Sequence, residues 1–549
     1  MTETREGTGH RTMEQAPRPV LGPDASDADT TLPDQTLYDV AAVEDIKEGE
    51  VLSVILKEQS IALVKVGDEV RALGGRCPHK GAPLRGRLHC QSKVHGDVLV
   101  CPWHKAVLGV EDGRVKEPVA FSGLPVYPVR LVEGRVLVGS SPVRQAPVEK
   151  RQEDESVLVL GGGAAGASAI YTLREEGFAG RIILIGDEGT PPYDRPALSK
   201  GIFLGGPDKV QPALLLNEEF YAHHEVIRVQ GTVAALDCDA RRVQLDDGRD
   251  YQADHVLVAT GGRPARPELP GIDLEGVLTL HDVRDARKIS ESITGDQAVI
   301  LIGGGLTALE LASALRQKGA GVTIIAPEHP VPMEAQWGRE VGQILLRLHA
   351  DNGVAFVSDT AVVGIYGAKH VEGVELEDGM KLPCTHVLVA VGNRPCRDFL
   401  PMPLGGGEEG AMPGIVVDEE MRIQPGIYAA GDVATFRRES GLCRIEHWRQ
   451  AQIEGRAAAR SILGLPRQPM PVPWYWTQQF GKKIEYIGWG EPFDSVLIEG
   501  DLGSFDFMAA YMQGQKVVAL VSAGRASAMA RAAVDFEGFV AREVKTSIV

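Results

Sequence analysis

The sequence predicts a multidomain protein in which a small all-β unit precedes two α/β units built on parallel sheets. Three observations carry this. Short β-branched runs joined by tight turns fill residues 38–138, a polar stretch covers 140–155, and strand, glycine loop and helix follow one another at 157 and again at 299. At 549 residues the chain has room for roughly three or four such units.

Composition sets the outer bounds. Hydrophobic residues make up 44% and charged residues 24%, as in ordinary soluble globular proteins. A formal net charge of -18 argues against a nucleic-acid partner, because that affinity comes from Lys and Arg neutralising phosphates. No apolar run approaches the eighteen or so residues of a membrane span, and the polar start lacks the apolar core of a secretory signal, so a cytoplasmic location is expected. Seven cysteines, an odd number without a Cys-x-x-Cys, fit a reducing compartment rather than a disulfide framework.

Taken in order, residues 1–36 hold seven acids against three arginines and no apolar periodicity, which predicts a disordered arm. The β unit occupies 37–139, with strands at 51–55 and 61–66 punctuated by Gly67-Asp68 and Gly74-Gly75 and a last strand at 136–138. Residues 140–155, rich in Pro, Gln and charge, read as an interdomain linker.

Within the β unit, Cys77-Pro78-His79 and Cys101-Pro102-Trp103-His104 lie on loops, and Cys101 follows Cys77 by 24 residues. Two thiolates can hold one iron of a [2Fe-2S] cluster while two imidazoles hold the other. A tetrahedral zinc site uses the same four donors and is the competing reading. Between His79 and Cys101 stand 21 residues that include His89, Cys90 and His95. No His lies two positions after Cys90, so a longer hairpin is expected there rather than another ligand.

Gly161, Gly163 and Gly166 follow the strand at 157–160 and open a helix, the dinucleotide fingerprint in its proper context. The first glycine makes the turn, the second lets the backbone approach a pyrophosphate, and the helix N-terminus faces that anion. The next strand, 182–185, ends at Asp187-Glu188, and Asp187 stands 21 residues after Gly166, where an acid meets a ribose hydroxyl. A second copy starts at Gly303 and Gly305, with Ala308 in the third glycine position and a strand at 322–325. Ala326 occupies the usual place of the acid and Glu328 lies two residues beyond. No Arg cluster follows in 326–334, so NADH is favoured over NADPH.

The loops CPHKGAPL and CPWH, with Gly81 and Leu84, resemble those of Rieske proteins, and the absence of an extra Cys in each loop resembles the ferredoxin-like, lower-potential branch. From 156 to 549 the chain resembles the two-dinucleotide flavoprotein reductases, in the branch of oxygenase ferredoxin reductases and apoptosis-inducing factor. Tyr193-Asp194-Arg195-Pro196-Ala197-Leu198-Ser199-Lys200 resembles the loop that this branch sets beside the flavin. Ala259-Thr260-Gly261 and Val391-Gly392 resemble its two interdomain glycine turns, Tyr428-Ala429-Ala430-Gly431-Asp432 its late FAD motif, and Glu446-His447-Trp448 and Trp474-Tyr475-Trp476 the segments lining flavin and nicotinamide. Together with the N-terminal unit, the arrangement resembles the apoptosis-inducing-factor-like flavoproteins.

That resemblance implies a small all-β Rieske domain, then α/β FAD- and NAD-binding Rossmann-like domains, then a C-terminal α+β interface domain. The FAD-binding domain would take 156–281 and 409–465, the NAD(P)-binding domain 282–408, and the interface domain 466–549. It implies FAD, a [2Fe-2S] cluster held by Cys77, His79, Cys101 and His104, and NAD(H). It also implies a catalytic pair, Lys200 and Glu310, beside the flavin N5. Both residue types are most often solvated at surfaces, but Glu310 falls inside the second fingerprint helix, where a charge is hard to explain as patterning. No cysteine occurs from 102 to 237, which excludes the redox dithiol of glutathione-reductase-like relatives, and Cys238, Cys384, Cys396 and Cys443 receive no role. Plain core at a domain interface is the competing, lesser reading of the aromatic group Trp474 to Trp476.

The expected function is electron transfer from NADH through FAD to the chain's own cluster, and on to an oxygenase, a P450 or another redox enzyme. The alternatives are reduction of a quinone or small oxidant, and a slow-turnover redox signalling role. A monomer or homodimer is expected.

Overall fold

Between residues 37 and 139 the apolar residues alternate at the period of a half-buried sheet, and they fold accordingly. In the computed structural model, which describes residues 36–85, 92–143, 148–327, 330–401 and 414–544, this region forms three small antiparallel sheets. The expected N-terminal arm, apart from Thr36, lies outside the described residues, as do His89, Cys90 and Glu328. Strands Val51–Leu56, Gln59–Val66, Glu69–Gly74 and Val126–Tyr127 make one sheet, and Leu37–Ala42, Arg135–Gly139 and Val129–Val132 another. Their shared core is built on Ile61, Leu63, Val136 and Val138, all fully buried. The third sheet, Lys93–His95, Val98–Val100, Val107–Gly109 and Val115–Glu117, carries the loop Cys101–His104 between two of its strands. Its first hairpin accounts for the described part of the insertion.

Two compact units divide the chain, Met1–Ala146 and Pro147–Val549. Much of the expected linker is not free chain. Val143 donates its amide to Val126 O (2.7 Å) in the first unit. In the second, Arg151 exchanges backbone hydrogen bonds with Gly177 and Ala179, Gln152 donates to Ile462 O (3.1 Å), and Glu155 meets His255 at 2.8 Å. A polar composition signalled a linker because these segments are held by backbone and side-chain hydrogen bonds, which leave no hydrophobic period.

The second unit contains two parallel sheets. The first runs in the order Val226–Gln230, Arg181–Gly186, Ser156–Leu160, His255–Val258, Ile427–Ala429, Arg422–Gln424, with only its last pair antiparallel. The second runs Val277–Leu278, His386–Val389, Ala298–Ile302, Gly321–Ala326, Val354–Ser358. It therefore begins before residue 282, since Val277–Leu278 pairs with His386–Val389. Every residue of Ser156–Leu160 is buried, as parallel strands covered on both faces must be. An antiparallel ribbon of Gly262–Pro264 and Asn393–Pro395 joins the two sheets' connections. The C-terminal part is an antiparallel five-stranded sheet, Trp474–Gln479, Lys482–Gly488, Lys516–Ala523, Asp506–Gln513 and Ser495–Asp501, backed by helix Ala526–Val534.

Helix Ala164–Glu175 crosses helix Trp448–Ile462 closely because Gly455 faces it; a Cβ there would lie 2.1 Å from Ala165 O. Two helix N-termini are thereby fixed side by side at the carboxyl ends of the first sheet, where open α/β sheets bind ligands.

Candidate functional site

In the first unit the two Cys/His loops adopt the same hairpin. Cys77 N bonds Ala82 O (2.7 Å) and Gly81 N bonds Cys77 O (2.9 Å), while Cys101 N bonds Ala106 O (3.0 Å) and Lys105 N bonds Cys101 O (2.9 Å). Both turns need a left-handed residue four positions after the Cys, supplied by Gly81 (φ 68) and, less comfortably for a side chain, by Lys105 (φ 55). Lys105 is buried and donates its ammonium to Pro102 O at 2.7 Å.

The loops bring Cys77 and Cys101 together, both buried, and set the His79 and His104 rings edge to face with centroids 4.8 Å apart. Cys101 is pushed down to about 7 by its hydrogen bond with Cys77, by the Trp103 and His104 amides and by the Lys105 charge, which outweigh burial. Cys77, holding the shared proton, is pushed up. Among the described residues no three of His, Cys, Asp and Glu converge on a point that would hold a single ion. A sulfur pair and an imidazole pair, each for its own metal, fit a two-iron cluster better than a tetrahedral zinc.

In the second unit a cavity of about 420 Å³ opens beside the first glycine loop. Of the residues singled out in the sequence, Gly161, Gly163, Asp187, Glu188, Arg195, Ala259, Thr260, Gly261, Gly392, Asp432, Glu446 and His447 line it. Gly166 packs instead beneath the loop, its Cα side 2.1 Å from Gly161 O if a Cβ were present. Gly161 (φ 112) has no room for a Cβ either, 2.2 Å from Ala259 O, whereas Gly163 opens the helix with nothing within 4 Å and no side-chain cap. An uncapped helix start against an open cavity fits a pyrophosphate.

The second loop repeats this design. Gly303 (φ 115) would place a Cβ 2.3 Å from Ala390 O, and Gly305 starts helix Leu306–Lys318 uncapped and open. The two loops hang from equivalent bonds, Gly161 N to Ile185 O and Gly303 N to Ile325 O, both 2.8 Å. Ala308 replaces the third glycine and is fully buried.

Of the acids at 187 and 188, Glu188 is committed to Arg195, with which it forms an ion pair, and to Tyr193, whose hydroxyl donates at 2.5 Å. Asp187 is left half exposed with Arg263 at 3.5 Å. Asp432 faces the cavity and is pushed up to about 6 by desolvation and the nearby Glu446. Glu446 is held by Arg444 and by Asn393 (3.2 Å), and Arg444 also donates to Asp432 O (2.7 Å). His447 is driven down to about 3 by burial and by Lys200 and Arg449, so it is neutral; its ring lies 4.8 Å from that of Tyr475.

Lys200 and Glu310, 110 residues apart, meet at 2.9 Å with side-chain exposures of 17% and 7%. Neither is solvated. Trp476 covers the ammonium, 4.9 Å from its ring centroid, which sets Trp476 in this cluster rather than in interface core alone. Ser199 also donates to Glu310 Oε2, and Thr477 donates to Oε1 at 2.7 Å. Thr477 and Arg444 were not singled out in the sequence, Ser199 was named only as part of the loop 193–200, and Cys396 was given no role. Cys396 lines the cavity, its carbonyl accepting from Thr260 (2.6 Å) and its thiol pushed up by burial. A lone Cys or Thr carries no local signal, and only the partners across the fold reveal it.

Comparisons with known proteins agree on the architecture. Residues 155–455 match the family described as pyridine nucleotide-disulphide oxidoreductase, 36–128 the Rieske [2Fe-2S] domain, and 474–540 the reductase C-terminal family. The chain is 31% identical to human (Homo sapiens) apoptosis-inducing factor 3 over 88% of its own length and 81% of that protein. It is 34% identical to the ferredoxin--NAD(+) reductase subunit of the benzene 1,2-dioxygenase system of Pseudomonas putida, over 63% of this chain and 84% of that one. Among solved structures, the covalent putidaredoxin reductase–putidaredoxin complex superposes with a TM-score of 0.64 at 27% identity, covering 72% of this chain and 94% of the other.

Proposed function

Because the chain belongs to the pyridine nucleotide-disulphide oxidoreductase family and carries a Rieske domain, it is an FAD-dependent NAD(P)H oxidoreductase of the ferredoxin reductase kind, and we propose that it passes electrons from NADH to its own [2Fe-2S] cluster and on to a partner redox protein. The observation that carries this reading is that one chain pairs Cys77 with Cys101 and His79 with His104, and in its second unit opens a cavity along the first glycine loop whose lining includes Ser199, which bonds Glu310 of the Lys200–Glu310 pair.

When bound, the flavin accepts a hydride from NADH, and the cluster takes electrons one at a time. One NADH therefore balances two successive one-electron reductions of an acceptor, with NAD⁺ and one proton released. The residues supply position and field. The open amides after Gly161 would hold the FAD pyrophosphate, Asp187 a ribose hydroxyl, and Asp432 the ribityl chain. The second loop, from Gly303 to Gly305, would hold the pyrophosphate of NADH. Lys200, fixed by Glu310 and shielded by Trp476, would place positive charge where the reduced flavin gains negative charge. Cys77 and Cys101 would ligate one iron and His79 and His104 the other. The partner we propose is a one-electron acceptor such as an oxygenase component, and the free thiols at Cys238, Cys384, Cys396 and Cys443 favour a reducing, cytoplasmic setting.

Anaerobic stopped-flow mixing with NADH tests this. Flavin absorbance should bleach first and cluster absorbance should follow within the same reaction. A flavin that reduces fully beside a cluster that stays oxidised would overturn the proposal.

A further inference from the structure

The carboxylate of Glu310 is the end of a buried hydrogen-bond chain that starts at His349, outside the cavity lining. Thr477 Oγ1 donates to Glu310 Oε1 (2.7 Å), Gln479 Nε2 donates to Thr477 Oγ1 (3.1 Å), and His349 Nε2 faces Gln479 Oε1 (3.1 Å). With its amide nitrogen spent on Thr477, Gln479 can offer only its oxygen, so the proton of His349 is assigned to Nε2. Every link then points the same way, toward Glu310. All four residues are buried, Glu310 at 6% exposure and the other three at 1% or less.

Three separate parts of the second unit supply this chain. Glu310 sits on helix Leu306–Lys318, His349 on helix Glu334–Asp351, and Thr477 and Gln479 on strand Trp474–Gln479. Being two residues apart on a strand, Thr477 and Gln479 share one face. The His349 ring is wedged edge to face between Phe480 (5.1 Å) and Phe356 (5.9 Å) and is pushed down to about 4 by burial, so it stays a neutral donor. Its Nδ1 is buried without a hydrogen-bond partner among the described residues. A polar chain of this kind is costly to bury unless each member is satisfied, and a lost link leaves the next group unpaired.

We propose that Thr477 and Gln479 of the C-terminal sheet, backed by His349, are positioning residues for hydride transfer: they lock the Glu310 carboxylate in the one orientation that presents Lys200 to the flavin. This rests on the placement of Lys200 and Glu310 beside the flavin in the proposed function. A carboxylate with one oxygen on Ser199 and Lys200 needs its other oxygen fixed before the ammonium has a single position, and Thr477 is the donor that fixes it. Thr477 and Gln479 thus act on the chemistry through Glu310.

The test compares the holoenzyme with its Lys200→Met, Thr477→Val, Thr477→Ser and Gln479→Leu variants. Three quantities are read: the flavin reduction rate at saturating NADH, the Kd for NADH, and the flavin midpoint potential. Lys200→Met should slow reduction by about tenfold or more, as loss of a preorganised charge does, and Thr477→Val by about tenfold, as loss of a hydrogen bond to a charged group does. Thr477→Val should also lower the potential while leaving Kd within about twofold, Thr477→Ser should recover most of the rate, and Gln479→Leu should slow it by a few fold, about as for loss of one neutral hydrogen bond. If Lys200→Met is slow but Thr477→Val and Gln479→Leu match wild type in rate and potential, the positioning role is wrong and the Lys200 reading stands. Thr477→Ser as slow as Thr477→Val would also overturn it, by showing that shape and not the hydroxyl matters. If Lys200→Met itself reduces at the wild-type rate, the underlying reading fails. Should Thr477→Val not hold flavin, Gln479→Leu, one link further from Glu310, decides.

Discussion

Glu310 shows what single residues do in this molecule and how far a sequence discloses them. Lys200 and Glu310 stand out because each belongs to a recognisable segment, the flavin loop and the fingerprint helix. Thr477, which lies 167 residues from Glu310, carries no motif, and Ser199, 111 residues away, stands in the flavin loop without a role of its own there, yet both bond the same carboxylate. Their role exists only once three chain segments are brought together. His349 is similar, a histidine on an amphipathic helix that reads as one more surface titrator until burial is known. Its folded pKa of about 4 lies below the ordinary 6.5, as does that of His447 at about 3. The unfolded chain therefore binds protons that the folded one refuses. The stability these neutral rings confer is complete above pH 6.5 and declines as pH falls from 6.5 toward 4. His349→Gln, which keeps a donor but cannot titrate, should flatten the fall of Tm over that window, by an amount corresponding to a few kcal/mol at most; a slope identical to wild type would show that His349 is not buried neutral. At Asp432, replacement by Asn should weaken flavin retention, measured as the ratio of flavin to protein absorbance after gel filtration, because this cavity-facing acid is the acceptor we propose for the ribityl hydroxyls.

At the scale of elements, the most local signals translated most directly. Strands expected at 157–160, 182–185, 299–302 and 322–325 lie within Ser156–Leu160, Arg181–Gly186, Ala298–Ile302 and Gly321–Ala326, because a glycine loop after an apolar run depends on neighbours within a few residues. The two loops should be separable in function. Gly161→Ala forces a Cβ to within 2.2 Å of Ala259 O at a left-handed φ, and should yield protein without FAD. Gly303→Ala, with 2.3 Å to Ala390 O, should keep FAD and the cluster yet raise the Kd for NADH by at least about tenfold, read by titration of the charge-transfer band. Equal loss of both nucleotides in either variant would contradict the assignment of one loop to each. Where the reading depended on long-range pairing it slipped. Residues 148–155 look like linker by composition, yet Arg151 extends the second unit by bridging to Phe178, a contact set by backbone groups to which composition is blind.

At the scale of the whole molecule, the Cys/His loops proposed to hold the cluster and the cavity proposed to take dinucleotide fall in separate compact units. Each should therefore assemble without the other. Cys101→Ser should abolish the cluster and still give a flavoprotein that NADH bleaches, and a variant that loses flavin as well would contradict that independence. The division of labour was legible because each unit is defined by short motifs. The boundary between the units lies within the expected linker, 140–155, although Arg151 and Gln152 there are held by the second unit. NADH alone should drive electrons into the chain's own cluster, and the decisive measurement is an electron paramagnetic resonance spectrum of the purified protein reduced anaerobically by NADH. A Rieske-type signal that is absent from Cys101→Ser protein is expected. Fully reduced flavin with no such signal, although dithionite elicits one, would contradict it.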